Sequence, residues 1–160
     1  MLRRATAADA AHLTALVRRS GAYRGGYAAM VEDYEVTADY IAAHEVFVAE
    51  ADDGALLGFY ALLLGPPAEL DLMFVADAAQ GLGVGRRLAS HMKDQARAAG
   101  LSGVRVVSHP PSEGFYQSVG ATRTGTVRAT GAVTWDRPEL VFALEPSTTA
   151  RRRLGEGLIR

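Results

Sequence analysis

The sequence predicts an α/β (α+β) fold: a single mixed, mostly antiparallel sheet with one parallel strand pair at its centre and helices on its flanks. Two observations lead there. Val46 to Glu50 and Leu56 to Leu64 read as strands joined by the hairpin turn Asp53-Gly54, and a third strand-like run, Glu69 to Val75, follows the break at Gly65-Pro66-Pro67. That third run leads through a glycine-rich stretch and an amphipathic helix into another strand, Val104 to Ser108, and such a crossover makes its two strands parallel. With 160 residues, 49% hydrophobic and 22% charged, the chain can bury a core without disulfides or metal.

In order, Leu2 to Ala5 reads as a short first strand. Thr6-Ala7-Ala8-Asp9 resembles a capping box with Asp in place of Glu, and Leu13, Leu16 and Val17 continue at helical spacing toward an end near Ser20-Gly21. Between Tyr23 and Tyr40 the pattern is irregular; one or two short helices are expected, with Thr37 as an N-cap. Tyr23, Tyr27, Tyr34 and Tyr40 fall here, either as a pocket wall or as half-buried packing with their hydroxyls in water. After the meander, Val84, Leu88, Met92 and Ala96 recur every four residues and Gly100 stops that helix. Ser112-Glu113 opens a short helix containing Phe115 and Tyr116, closed by Gly120; further strands are expected near Arg123 to Arg128 and Leu140 to Leu144. Residues 1–146 read as one domain, and 147–160, with Arg151-Arg152-Arg153, as a tail without apolar periodicity until Leu158-Ile159.

Composition removes several functional classes. A net charge of -1 argues against a general nucleic-acid binder, which needs concentrated Lys and Arg. Without Cys there is no thiol nucleophile, and no His pair has metal-ligand spacing. No run reaches a membrane span, and Met1-Leu2-Arg3-Arg4 is not followed by the apolar stretch of a signal peptide, so a cytoplasmic protein is expected.

The chemistry centres on Gln80-Gly81-Leu82-Gly83-Val84-Gly85. Glycines let backbone approach a ligand closely, and a helix starting there directs unpaired N–H groups and a positive dipole end outward, which makes an anion cradle. The GxxxxGK[ST] phosphate loop is absent. A dinucleotide fingerprint fits Gly81 and Gly83 but puts Arg86 at its third glycine, and the following strand ends in Ser108-His109 without an acidic ribose partner.

These residues resemble the GCN5-related N-acetyltransferases (GNAT), whose Arg/Gln-x-x-Gly-x-Gly/Ala pattern Gln80, Gly83 and Gly85 match. Strand, loop, amphipathic helix, strand and the Ser112-Glu113-Gly114-Phe115-Tyr116 helix are similar to that family's acyl-CoA half in the same order. The likeness is strong from about Val46 to Leu144 and topological before it. It implies that the central parallel pair splays apart, and that Gln80 through Gly85 with Arg86 hold the diphosphate of acetyl-CoA as cosubstrate. It implies too that the backbone of Met73, Phe74 and Val75 pairs with the pantetheine arm. The implied activity is direct acetyl transfer to an amine of a small molecule, peptide or protein; the alternative is a non-catalytic acyl-CoA sensor or interaction module.

Glu69, eleven residues before Gln80, looks like the family's catalytic Glu and is the first candidate base. Strand alternation puts Asp71 on the same face, as a second base candidate or substrate contact; His109 and a water chain remain open. Tyr116 matches the family's frequent general acid, with Phe115 expected in the core and Tyr116 toward the cleft. Tyr23 and Tyr27 are expected in the acceptor wall, with Ala129 to Trp135 as its other side, and Glu32, Asp33 and Glu35 as possible attractants for a cationic amine. The Asn that the family often places before the Tyr helix has no counterpart, because the chain contains none. No metal is implied, and a homodimer is one expectation for exposed strand edges or Trp135.

Overall fold

A computed structural model describes residues 1–20, 31, 33–131 and 133–145. Its seven strands are β1 (Leu2–Arg4), β2 (Glu45–Glu50), β3 (Leu56–Leu63), β4 (Glu69–Val75), β5 (Gly103–Val107), β6 (Thr122–Val127) and β7 (Arg137–Ala143). They form one sheet in the order β1-β2-β3-β4-β5-β7-β6, parallel only between β4 and β5. The helices are α1 (Ala10–Arg18), α2 (Ala38–Ala43), α3 (Val84–Ala98) and α4 (Glu113–Ser118).

Period-two side chains explain the two core layers. Val46, Val48, Phe59 and Ala61 pack on one face with Leu13 and Val17 of α1 and Ile41 of α2, while Phe47, Tyr60 and Leu62 pack on the other with Leu88 and Met92 of α3. Each fully buried Val, Leu, Phe or Met among them contributes about 1.5–3 kcal/mol of apolar burial. Gly58 is what lets α3 come so close: a Cβ there would lie 2.7 Å from the Phe74 carbonyl oxygen and 3.1 Å from Leu88 Cδ1.

The caps behave largely as the sequence implies. The Thr6 N–H donates to Asp9 Oδ2 (2.8 Å), a 3-10 turn over Ala7–Asp9 precedes α1, and the Tyr40 N–H donates to Thr37 Oγ1 (3.0 Å) at the start of α2. Asp9 also takes both Arg3 Nη atoms at 2.9 Å, and Arg3 Nε reaches Glu50 (2.7 Å), so one guanidinium ties β1 to β2 and to the start of α1.

Simple alternation fails in β4. Leu62 pairs with Leu70 and Ala61 with Leu72, so Asp71 has no partner in β3: it is the extra residue of a bulge. Leu70 consequently joins the α3-side core while Phe74, an even number of residues away, joins the other. The bulge lies where β4 leaves β5. Their ladder is the single pair Glu69↔Arg105, supported by the Arg105 N–H donating to the Ala68 carbonyl (3.0 Å), and beyond it the strands part.

Candidate active site

The gap between β4 and β5 holds two adjoining cavities. The larger, about 450 Å³, is lined by Met73, Phe74 and Val75 from β4, by Gln80, Gly81, Gly83, Val84, Gly85 and Arg86 from the glycine loop and the first turn of α3, and by Ser112, Phe115 and Tyr116 around α4. The smaller, about 190 Å³, is lined by Glu69 and Asp71 at the bulge, by Tyr34, and by Arg137 at the start of β7. Met73, Phe74, His109 and Tyr116 border both. The cavities therefore meet where the strands separate.

In the glycine loop, Gly81 and Gly83 take positive φ (80° and 78°), a conformation costly for residues with a Cβ, and a Cβ at either would meet nothing within 4 Å. Both positions therefore face open space. A 3-10 turn over Asp77–Ala79 leads in, and the Gln80 side chain donates back to the Val75 carbonyl (3.2 Å), fastening the loop to the end of β4. Gly83 is the N-cap of α3, so the first-turn N–H groups have no intrahelical acceptor, and this positive end of the helix dipole, at Gly83 to Arg86, lines the larger cavity. A Cβ on Gly85 would sit 3.1 Å from the Phe115 ring; its absence lets α4 pack over this turn. Leu82 is set apart: it is 70% exposed and does not line the cavity.

Tyr116 and Phe115 depart from expectation. Tyr116 is the buried member, 8% exposed, edge-on to Phe142 and Phe115, while Phe115 is only partly buried; both nevertheless line the larger cavity. Two bonds fix α4 at its C-terminal end, as Lys93 Nζ donates to the Val119 carbonyl (2.7 Å) and the Ala121 N–H to the Tyr116 carbonyl (3.0 Å).

In the smaller cavity, burial raises the Glu69 carboxyl above the ordinary Glu range; the Arg105 charge opposes the shift and Asp71 adds to it. Arg105 Nη1 is 3.5 Å from Glu69 Oε1, and its Nη2 is 2.9 Å from Glu139. Asp71 accepts a 2.5 Å hydrogen bond from the Tyr40 hydroxyl, whose own proton is held more tightly through burial and this bond. Burial likewise raises Tyr34, with Asp71 adding to it. His109 is 3% exposed beside Ser108, whose hydroxyl donates to the His109 carbonyl (2.7 Å).

Tyr23, Tyr27 and Glu32 lie outside the described residues, as does the 146–160 stretch. Three contributors escaped sequence reasoning: Arg105, Arg137 and the Tyr40 contact to Asp71. Arg105 is visible only once the β4–β5 register is known, and Arg137 precedes Pro138 ahead of the strand expected near Leu140 to Leu144, although β7 begins there. Among the described residues no group of three or more His, Cys, Asp or Glu could hold a metal, and no helix is long and apolar enough to cross a membrane.

A mixed sheet parting at the parallel pair β4–β5, with an anion cradle on one side and the carboxylates of Glu69 and Asp71 on the other, is the arrangement of an acyltransferase. The family described as "Acetyltransferase (GNAT) domain" matches residues 23–135, and the chain belongs to this GNAT acetyltransferase family. The fold is similar to that of a GCN5-related N-acetyltransferase from Rhodopseudomonas palustris (TM-score 0.72, 21% identity, covering 90% of this chain and 95% of that one). It is also similar to a phosphinothricin acetyltransferase from Sinorhizobium meliloti solved with acetyl-CoA (0.68, 23%, 93% and 90%). A third similar structure is the ribosomal-protein-S18-alanine N-acetyltransferase of Escherichia coli (0.70, 14%, 92% and 95%). No curated protein matches by sequence.

Proposed function

We propose that the protein transfers the acetyl group of acetyl-CoA directly to an amine, with the donor in the larger cavity and the acceptor in the smaller. The observation that carries this reading is the meeting of the two cavities at Met73, Phe74, His109 and Tyr116. A binding module would need only the cradle; transfer also needs a second cavity in which an amine loses its proton.

The open space at Gly81 and Gly83 and the unpaired first-turn N–H groups of α3 fit a diphosphate, and the exposed Arg86 and Arg87 add positive charge. The edge of β4 from Met73 to Val75 that turns away from β3 is not laddered to β5 and borders the larger cavity, where the pantetheine arm and a developing oxyanion would meet it. Acetyl-CoA supplies the thioester carbonyl. Glu69, directly or through water, takes the proton of the ammonium acceptor, since an amine of pKa near 10 is mostly protonated at neutral pH. The amine nitrogen bonds to the carbonyl carbon and the carbon–sulfur bond breaks. Tyr116 gives a proton to the departing thiolate, and the second amine proton goes to solvent.

Titration calorimetry with acetyl-CoA, followed by a thiol-release assay across a broad amine panel, tests the reading. Binding with amine-dependent thiol release is expected; binding with no thiol release from any amine would overturn it.

A further inference from the structure

Among the described residues, Arg105 and Arg137 stand beside the parted strands, and of the two Arg105 alone is in an ion pair. Arg105 bridges Glu69 and Glu139. Arg137 lines the smaller cavity, makes no ion pair with any described residue, and has its Nε buried without a hydrogen-bond partner. Such a buried N–H is unfavourable unless something accepts from it. Its place at the rim is fixed by backbone: the Ser108 N–H donates to the Pro138 carbonyl (3.0 Å), tying the start of β7 to the end of β5 beside His109. The Arg137 charge also acts on the Glu69 carboxyl, which puts the two within electrostatic reach of each other.

The smaller cavity thus offers two carboxylates, Glu69 and Asp71, and one uncommitted guanidinium. A polyamine or plain alkylamine would satisfy the carboxylates but face an unpaired Arg. A peptide N-terminus brings no anion beside its amine. An amino acid carries both charges on one carbon, and a guanidinium edge accepts a carboxylate through two parallel N–H bonds. At about 190 Å³ the cavity is below the roughly 300–1,000 Å³ of drug-sized ligand pockets, so it suits a small head group.

We infer that the acceptor is a free amino acid or similar small amine bearing a carboxylate, with Arg137 as the group that holds the carboxylate and turns its amine toward Glu69. This rests on the transfer reading given above.

The test is thiol release from acetyl-CoA with L-amino acids, each paired with its own primary amide, for the wild type, Arg137→Met and Arg137→Lys. The wild type should favour the acid over the amide in kcat/KM by a factor on the order of ten to a hundred, the range expected for a hydrogen bond to a charged group. Arg137→Met should bring the ratio toward one, mainly by raising KM for the acid, with acetyl-CoA affinity by calorimetry unchanged, and Arg137→Lys should restore part of it. Amides equal to or better than acids in the wild type, or equal losses for both in Arg137→Met, would overturn the inference and leave the transferase reading standing. If Arg137→Met does not fold, the wild-type ratio decides alone. Acetyl-CoA binding with no thiol release from either member of any pair would overturn the transferase reading, and this inference with it.

Discussion

Glu69 stands at the one register pair that joins β4 to β5, half in the sheet and half in the cavity beyond it. Burial has already raised its proton affinity, which suits a base that must accept a proton near neutral pH. Glu69→Gln should lower kcat by roughly a hundred- to ten-thousandfold and leave acetyl-CoA affinity unchanged by calorimetry; an unchanged kcat would remove Glu69 from the mechanism. Because the protonated carboxyl cannot act as base, activity should fall as pH drops through the raised Glu69 value. The Arg105 charge holds that value down, so Arg105→Met should move the acid limb of the kcat profile to higher pH. A limb that stays put, or moves lower, would assign it to another group. Tyr116→Phe should reduce kcat toward the lower end of the same range without weakening acetyl-CoA binding. Glu69 and Tyr116 were singled out through family resemblance, and both line the cavities where β4 and β5 part. Arg105, Arg137 and the Tyr40 hydrogen bond were not, because each reaches the site through long-range register that no local pattern encodes.

Among the elements, the loop leading into α3 was the most legible and the bulge in β4 the least. Four-residue spacing and a glycine start are local signals, and α3 runs from Val84 to Ala98 as they imply. A bulge depends on how β4 registers against β3, so alternation could not show that Asp71 lacks a partner. Gly83 and Gly58 make different predictions. Gly83→Ala places a Cβ in open space at a positive φ, so it should lower stability by only about 1–2 kcal/mol while weakening acetyl-CoA binding, as calorimetry and thermal melts can separate. Gly58→Ala pushes a Cβ against the Phe74 carbonyl, a backbone atom that cannot step aside, and should lose about 1–3 kcal/mol or more in chemical denaturation. If Gly58→Ala were neutral, the close approach of α3 to the sheet would not depend on that glycine.

At the scale of the whole molecule, the half that precedes the meander is joined to the sheet by charge as well as by apolar contact. Arg3 holds Asp9 through both Nη atoms, the Thr6 N–H adds a third bond, and these interactions lower the Asp9 carboxyl from 3.8 to about 2. The folded value lies below the unfolded one, so this contribution is complete above about pH 4 and is lost as pH falls through 3.8 toward 2. The lowering corresponds to about 2 kcal/mol. His91, beside the buried Tyr60 hydroxyl (2.7 Å), has the same sign in a higher window: burial lowers its value, so folding weakens as pH drops below about 6.5, where the unfolded imidazole takes up its proton. A single acid-denaturation curve would merge the two. Subtracting an Asp9→Asn series from the wild type isolates Asp9, because the His91 contribution is common to both. The stability difference should be about 2 kcal/mol at pH 7, unchanged down to about pH 4, and nearly gone by pH 2. A difference that instead declined between pH 7 and pH 5 would mean that the Arg3 clamp does not hold Asp9 ionised.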